Sequence, residues 1–355
     1  MSGPEETDTG PSHPRESAPL IGHGEAARAF VAAHRAGRLA HAWLISGPRG
    51  IGKATLAFAL ARYLLSESGA GGLPGLSAPD ADERRDPLAM DPGDPVFRRV
   101  AAGSHGDLLA IERPVDPKSG KQRRDITVDE IRRLGAFFSR TSAGGGWRVA
   151  LIDAADEINR NAANALLKTL EEPPSRSVLL VVSHAPAGLL PTLRSRCRPL
   201  PLRPLSDNDI GLFLKDRRPE LDEAEIAAII RLAEGCPGRA LSLGDGPGMT
   251  LYPALAALLE RRNFGDRQAL HHLAAKVAAD EGGFALFIEL LGQLIVRRAT
   301  GAARGGEMPG AAIERLCDLR AEIGALGRRC RALNLDRGQV ALTIFSALEE
   351  ALGGA

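Results

Sequence analysis

Apolar positions follow two patterns along the chain, and the change between them divides it. Up to Pro204, short continuous apolar runs alternate with segments of helical spacing. The runs "HAWLISG" (41–47), "RVALIDAAD" (148–156) and "SVLLVVSHA" (177–185) predict buried strands, with "DLLAIER" (107–113) a fourth candidate. Between them, "GEAARAFVAAHRA" (24–36), "GKATLAFALARYLL" (52–65), "TVDEIRRLGAFFSR" (127–140) and "NRNAANALLKTLEEPP" (159–174) predict helices. Thr127 with Glu130 makes a capping-box start. Strands that are apolar throughout, alternating with helices, imply a parallel sheet covered on both faces. After Pro204 the strand signal ends. "DNDIGLFLKDR", "DEAEIAAIIRLAE" and "GRALSLG" predict a short helical unit to about residue 246, and Ala/Leu/Arg-rich amphipathic helices fill the remainder. The expected divisions are a polar, Pro-rich, disordered tail over 1–20, an α/β domain over 21–203, a helical unit over 204–246 and a second helical domain over 247–355. Residues 66–104, dense in Gly, Pro, Asp and Ser, are expected to be a loop-rich insertion.

Composition narrows the class. At 355 residues, two or three domains are expected. The net charge of +1, from 45 bases and 44 acids, argues against the whole chain coating nucleic acid or an anionic membrane. The four cysteines, at 197, 236, 317 and 330, form no C-x-x-C and no metal spacing, and read as reduced thiols of a cytoplasmic protein. No apolar run reaches the roughly 18 residues of a membrane span, so no membrane partner is expected. The opening segment reads as a disordered tail rather than a signal peptide. The histidines at 41, 105, 184, 271 and 272 show no ligand spacing, and "KSGKQRR" (118–124) reads as a solvated turn.

The chemistry sits between the first strand and its helix. "GPRGIGKAT" (47–55) nearly matches the phosphate-loop pattern G-x-x-x-x-G-K-[ST]. Gly47, Gly50 and Gly52 suit a backbone that wraps a polyphosphate, and Lys53 suits its outer phosphates. The position for a Mg²⁺-ligating hydroxyl is Ala54, and Thr55 lies about 100° further around the helix. A second strand is tipped by Asp153, the place of the acid that helps hold Mg²⁺ in P-loop enzymes. Where many of these enzymes carry a water-polarising glutamate, the chain has Ala154, and acids return only at Asp156 and Glu157. Hydrolysis by this chain is therefore not expected. The loop either holds ATP or ADP without turnover or holds no nucleotide.

Together, "HAWLISGPRGIGK", "LIDAAD", "NALLKTLEEPP", "LRSRC" and "GCPGRALSL" resemble, in order and rough spacing, the AAA+ clamp-loader subunits of bacteria. The motifs cover about residues 20–246; the helical remainder matches only by length and character. The resemblance implies a P-loop αβα sandwich with a small helical lid and an all-α collar used for oligomerisation. It implies that Arg196, the arginine of "SRC", reaches into a neighbouring subunit's ATP site as an arginine finger. A degraded phosphate loop beside an intact "SRC" implies the non-hydrolysing kind of subunit. The implied partners are gamma/tau-type ATPase subunits and a delta-type subunit, with the sliding clamp and primed DNA reached through the complex.

Departures from the family pattern are also visible. A four-cysteine zinc module is common there, yet 66–104 contains no cysteine, so no zinc and no other metal is expected. Ser183 falls at the first phosphate-sensing position; it suits either a phosphate bond or a buried strand end. The second sensing arginine is displaced, with Gly238 at the matching place and Arg239 one residue late. Glu171 and Glu172 lie in the last turn of their helix, where the dipole disfavours acids. Either that end faces a neighbouring chain or loop, or Glu172 simply pairs with Lys168. A rival reading is an active AAA+ ATPase with Thr55 or Asp156 shifted into service. A small-metabolite kinase has no use for the long helical remainder.

Overall fold

In the computed structural model, the described residues are 13–17, 21–69, 86–115, 123, 125–140, 145–244, 248–261, 264–279, 281–305 and 309–353. The basic stretch 118–124 falls almost wholly outside them. The chain forms two compact units, Met1–Leu241 and Ser242–Ala355.

The first unit runs α1 (Gly24–Arg35), β1 (Ala42–Ser46), α2 (Lys53–Gly69), α3 (Pro95–Ala101), β2 (Leu108–Glu112), α4 (Val128–Phe138), β3 (Arg148–Asp153), α5 (Arg160–Glu171), β4 (Ser177–Ser183), α6 (Pro191–Arg196), β5 (Arg198–Pro201), α7 (Asp207–Arg217), α8 (Glu223–Ala233) and the start of α9 (Pro237–Gly244). The five strands are parallel, in the order β2-β3-β4-β1-β5. Their buried runs serve two cores, because successive side chains point to opposite faces. Trp43, Ile45, Val149, Leu151, Leu180 and Val182 meet Phe30 of α1 and Leu60 of α2. Ala42, Leu44, Ala150, Ile152, Leu179 and Val181 meet Leu134 of α4 and Leu166 of α5. The expected αβα sandwich is borne out. Helices α7 and α8, expected as a separate lid, lie within this same unit.

Four features depart from expectation. β5 and the short α6 carry no apolar run long enough to announce them. In β5 the Leu202 amide just beyond the strand donates inward to Ser46 O at 2.7 Å, so Pro199 and Pro201, of opposite parity, face the outer edge. The supposed insertion is partly helical: α2 continues to Gly69, and α3 starts at an Asp94 cap whose side chain accepts from the Val96 amide, with Pro95 in the first turn. Residues 70–85 lie outside the described residues. Within the expected tail, Pro14–Glu16 is a 3₁₀ turn held against α2. Arg62, 2% exposed, donates to Arg15 O at 3.0 Å and Ser17 O at 2.9 Å and stacks on Phe97. Charge-assisted bonds from a buried guanidinium explain the order. Arg62→Met is expected to cost on the order of 1–3 kcal/mol and to speed proteolytic cleavage near residue 15; unchanged urea unfolding and cleavage would argue against this anchoring.

The second unit contains the remainder of α9 and helices α10 (Gly248–Arg261), α11 (Arg267–Ala278), α12 (Glu281–Gly305), α13 (Gly310–Leu333) and α14 (Arg337–Gly353). Phe284, Phe287, Leu290, Leu291 and Ile295 of α12 are buried within it, with Phe287 edge-on to Phe345 of α14. The apolar side of α12 is thus packed against α10, α11 and α13, with Phe287 reaching α14, while Val296 stays exposed. Among the described residues no helix is long and apolar enough to cross a membrane.

Candidate functional site

The loop after β1, the tip of β3 and the tip of β4 share the carboxyl edge of the sheet, β1 lying centrally between β4 and β5. In parallel sheets this edge is where ligands bind. Lys53, Asp153 and Ser183 are brought together there as expected, but each already has a commitment within the chain.

Lys53 is 3% exposed, and its ammonium donates to Gly47 O at 2.8 Å and Pro48 O at 2.6 Å. The cation that should face a phosphate is spent on its own loop. Burial lowers Lys53 to about 8, opposed chiefly by Asp153 and Asp156. Gly50, at φ +75°, accepts from the Gly238 amide at 2.7 Å. A Cβ at Gly50 would lie 2.9 Å from Arg239 N, and one at Gly238 would meet Gly50 Cα at 3.0 Å. The two glycines therefore permit a backbone-to-backbone seal between the loop and the first turn of α9. On the other side the neutral His23 ring donates from Nε2 to Ile51 O at 2.7 Å, burial holding its pKa below the usual value.

Asp153 has neither a hydroxyl at 54 nor a carboxylate at 154 beside it. Burial pushes its carboxyl up to about 6, assisted by Glu112 and Glu157 and opposed by Lys53 and Arg49. Ser183 is fully buried and donates to Asp156 Oδ1 at 2.9 Å, while the amides of His184 and Ala185 donate to the same carboxylate at 2.6 and 3.0 Å. Asp156 thus fastens the end of β4. Glu157 pairs with Arg113 at 2.7 Å and with Arg49, inside the loop, at 3.7 Å. Thr55 is half-buried within α2. Sequence inspection identified the strand tips but missed Arg49, Arg113, His23 and the seal at Gly238, because each partner lies far along the chain.

Arg196 ends α6, beside the edge strand β5. Its Nη1 donates to Thr192 O at 3.0 Å and its Nη2 to Glu171 Oε1 at 2.8 Å, with the arginine side chain 36% exposed. Glu171, one of the two acids at the end of α5, thus faces this arginine. Among the described residues no cluster of three or more His, Cys, Asp or Glu suits a metal ion.

The family model described as "DNA polymerase III, delta subunit" matches residues 22–206, slightly more than half of the chain. The chain belongs to that family. The family likeness read from "LIDAAD", "NALLKTLEEPP" and "SRC" is thereby borne out. The DNA polymerase III subunit delta′ of Pseudomonas aeruginosa is 40% identical over 158 residues, covering 44% of this chain and 42% of that protein. The delta′ subunit of Escherichia coli is 34% identical over 231 residues, covering 64% and 62%. The tau subunit of E. coli is 30% identical over 350 residues, covering 93% of this chain and 48% of that one. The matches to these three curated relatives thus span from about two-fifths to about three-fifths of their lengths. Among solved structures, a DNA polymerase III gamma-subunit-related protein of Thermotoga maritima is similar with TM-score 0.44 at 19% identity, covering 88% of this chain and 95% of that one.

Proposed function

We propose that the chain is a delta′-type, non-hydrolysing subunit of a DNA polymerase III clamp loader. In this role it supplies Arg196 in trans to the ATP held by a neighbouring gamma/tau-type subunit. With a delta-type subunit it helps place the sliding clamp on primed DNA in the cytoplasm. The observation that carries the reading is the inward-turned Lys53, bonded to Gly47 O and Pro48 O. A site for Mg-bound triphosphate needs that ammonium outward, a hydroxyl after it and a free sensing group at the strand tip. Here the ammonium is bonded to its own loop, position 54 is alanine and Ser183 is bonded to Asp156. The residues present do not fit Mg·ATP, so no step is assigned to nucleotide in this chain, and neither nucleotide nor zinc is required.

What the chain can contribute is a permanent, planar cation. A guanidinium forks two oxygens of a terminal phosphate and gains strength as negative charge moves toward the leaving group. The rival that moves Asp156 into catalysis finds that carboxylate already accepting three hydrogen bonds.

The isolated chain is accordingly expected to show no steady ATP hydrolysis and no saturable ADP or ATP binding in the micromolar range, with Lys53→Ala indistinguishable from wild type on both counts. Brisk turnover abolished by Lys53→Ala would reverse the assignment.

A further inference from the structure

Glu171 occupies a place where local physics disfavours it. It lies in the last turn of α5, beside backbone carbonyls that have lost their helical donors. Its Oε1 lies 2.8 Å from Nη2 of Arg196, while the other terminal nitrogen of that guanidinium is tied to Thr192 O at 3.0 Å. Two nitrogens of one fork are thus fixed from two different helices, α5 and α6. The side chains remain 36% and 51% exposed, so water reaches the pair and another acceptor can approach. The rest of the five-donor fork stays available to that acceptor.

We propose that Glu171 is the positioning residue of Arg196. It holds the guanidinium in one orientation, so that the terminal phosphate of a nucleoside triphosphate on a neighbouring chain meets a preset fork. This rests on the reading of Arg196 as a group donated in trans. A free arginine side chain must give up considerable rotamer freedom when it docks, and ordering it beforehand removes that loss from the encounter and from the reaction. A carboxylate is suited to the task because its grip is weak at an exposed site. It restrains the cation without outcompeting the higher charge of a triphosphate.

The test uses the assembled complex of this chain with its ATPase partner, reading turnover at the adjoining site. Glu171→Ala is expected to lower turnover at saturating ATP by roughly two- to fivefold, the range set by an exposed ion pair. Glu171→Gln keeps an acceptor oxygen and is expected to recover most of the loss. In an Arg196→Ala background, Glu171→Ala is expected to add nothing. In the isolated chain, NMR relaxation of the Arg196 Nε–H is expected to show greater mobility in Glu171→Ala than in wild type. Turnover that falls with Arg196→Ala but ignores Glu171→Ala would overturn the positioning role alone. So would a further fall caused by Glu171→Ala without Arg196, or an Arg196 side chain equally rigid in Glu171→Ala. Turnover indifferent to Arg196→Ala would overturn the donor reading itself, and this proposal with it.

Discussion

Arg196→Ala is expected to lower ATP turnover at the adjoining site by on the order of 10³-fold, while leaving assembly of the complex nearly unchanged. That factor corresponds to about 4 kcal/mol of transition-state stabilisation, the size expected when a cation is withdrawn from a developing phosphate charge in a closed interface. Arg196→Lys is the more informative variant. Lysine keeps the charge but lacks the planar pair of donors, and it also loses the geometry that Glu171 and Thr192 give the fork. It is expected to regain less than about a tenth of the lost rate. Lys53→Ala in the same complex should leave turnover at the adjoining site unchanged, because the ammonium is hydrogen-bonded to carbonyls of its own loop. Phosphate release from complexes carrying one competent site next to this chain measures all three. A loss smaller than about tenfold on removing Arg196 would mean that the decisive cation comes from elsewhere.

Asp153→Asn is expected to stabilise the chain near neutral pH. The carboxyl is raised from 3.8 to about 6 by burial and by the acids Glu112 and Glu157. Between these two values the folded chain keeps a proton that the unfolded chain has released, so stability falls as pH rises through the window. Above it, folding carries an ionised carboxylate at a cost on the order of 1–3 kcal/mol, and asparagine removes that cost. Part of the gain is returned through Lys53, which is lowered to about 8 and relies on Asp153 as its main electrostatic support. A net gain of about 1 kcal/mol near pH 7.5 is expected, shrinking toward zero at about pH 3, below both pKa values, where the acid is protonated in the folded and the unfolded chain alike. Urea unfolding at the two pH values decides it. A variant less stable than wild type near pH 7.5 would show that the ionised Asp153 has a structural partner after all. In an enzyme that binds metal at this acid the same substitution would be judged by lost activity; here stability is the informative readout.

Much of the fold was legible because its signals are local. A strand such as "SVLLVVS" is apolar at every position because both faces of the sheet are covered, and the capping box at Thr127 and Glu130 is complete within one turn. The elements that lack a local signal are short or blend into their composition. β5 contains two prolines in four residues, so it offers no alternation to read. Helix α3 had a start signal, Asp94 followed by Pro95, but it sits in a stretch whose glycines, prolines and acids read as loop. The loop pattern of the candidate site carries its departures at 54 and 154 in the sequence itself. Its closure is not written there. Whether Lys53 faces a ligand or its own carbonyls depends on a loop conformation that the same nine letters leave open. The approach of Gly238 to Gly50 and of Glu171 to Arg196 depends on the path of the chain between them.

The outer border of β5 sets a rule for anything that meets this chain on that flank. With both outward-facing positions occupied by imino acids, the border presents carbonyl oxygens and no amide hydrogens, so a foreign strand cannot be zipped onto the sheet there. A neighbour arriving on that side cannot pair strand to strand and meets carbonyl acceptors and side chains instead, and Arg196 stands at the head of the strand that imposes this condition.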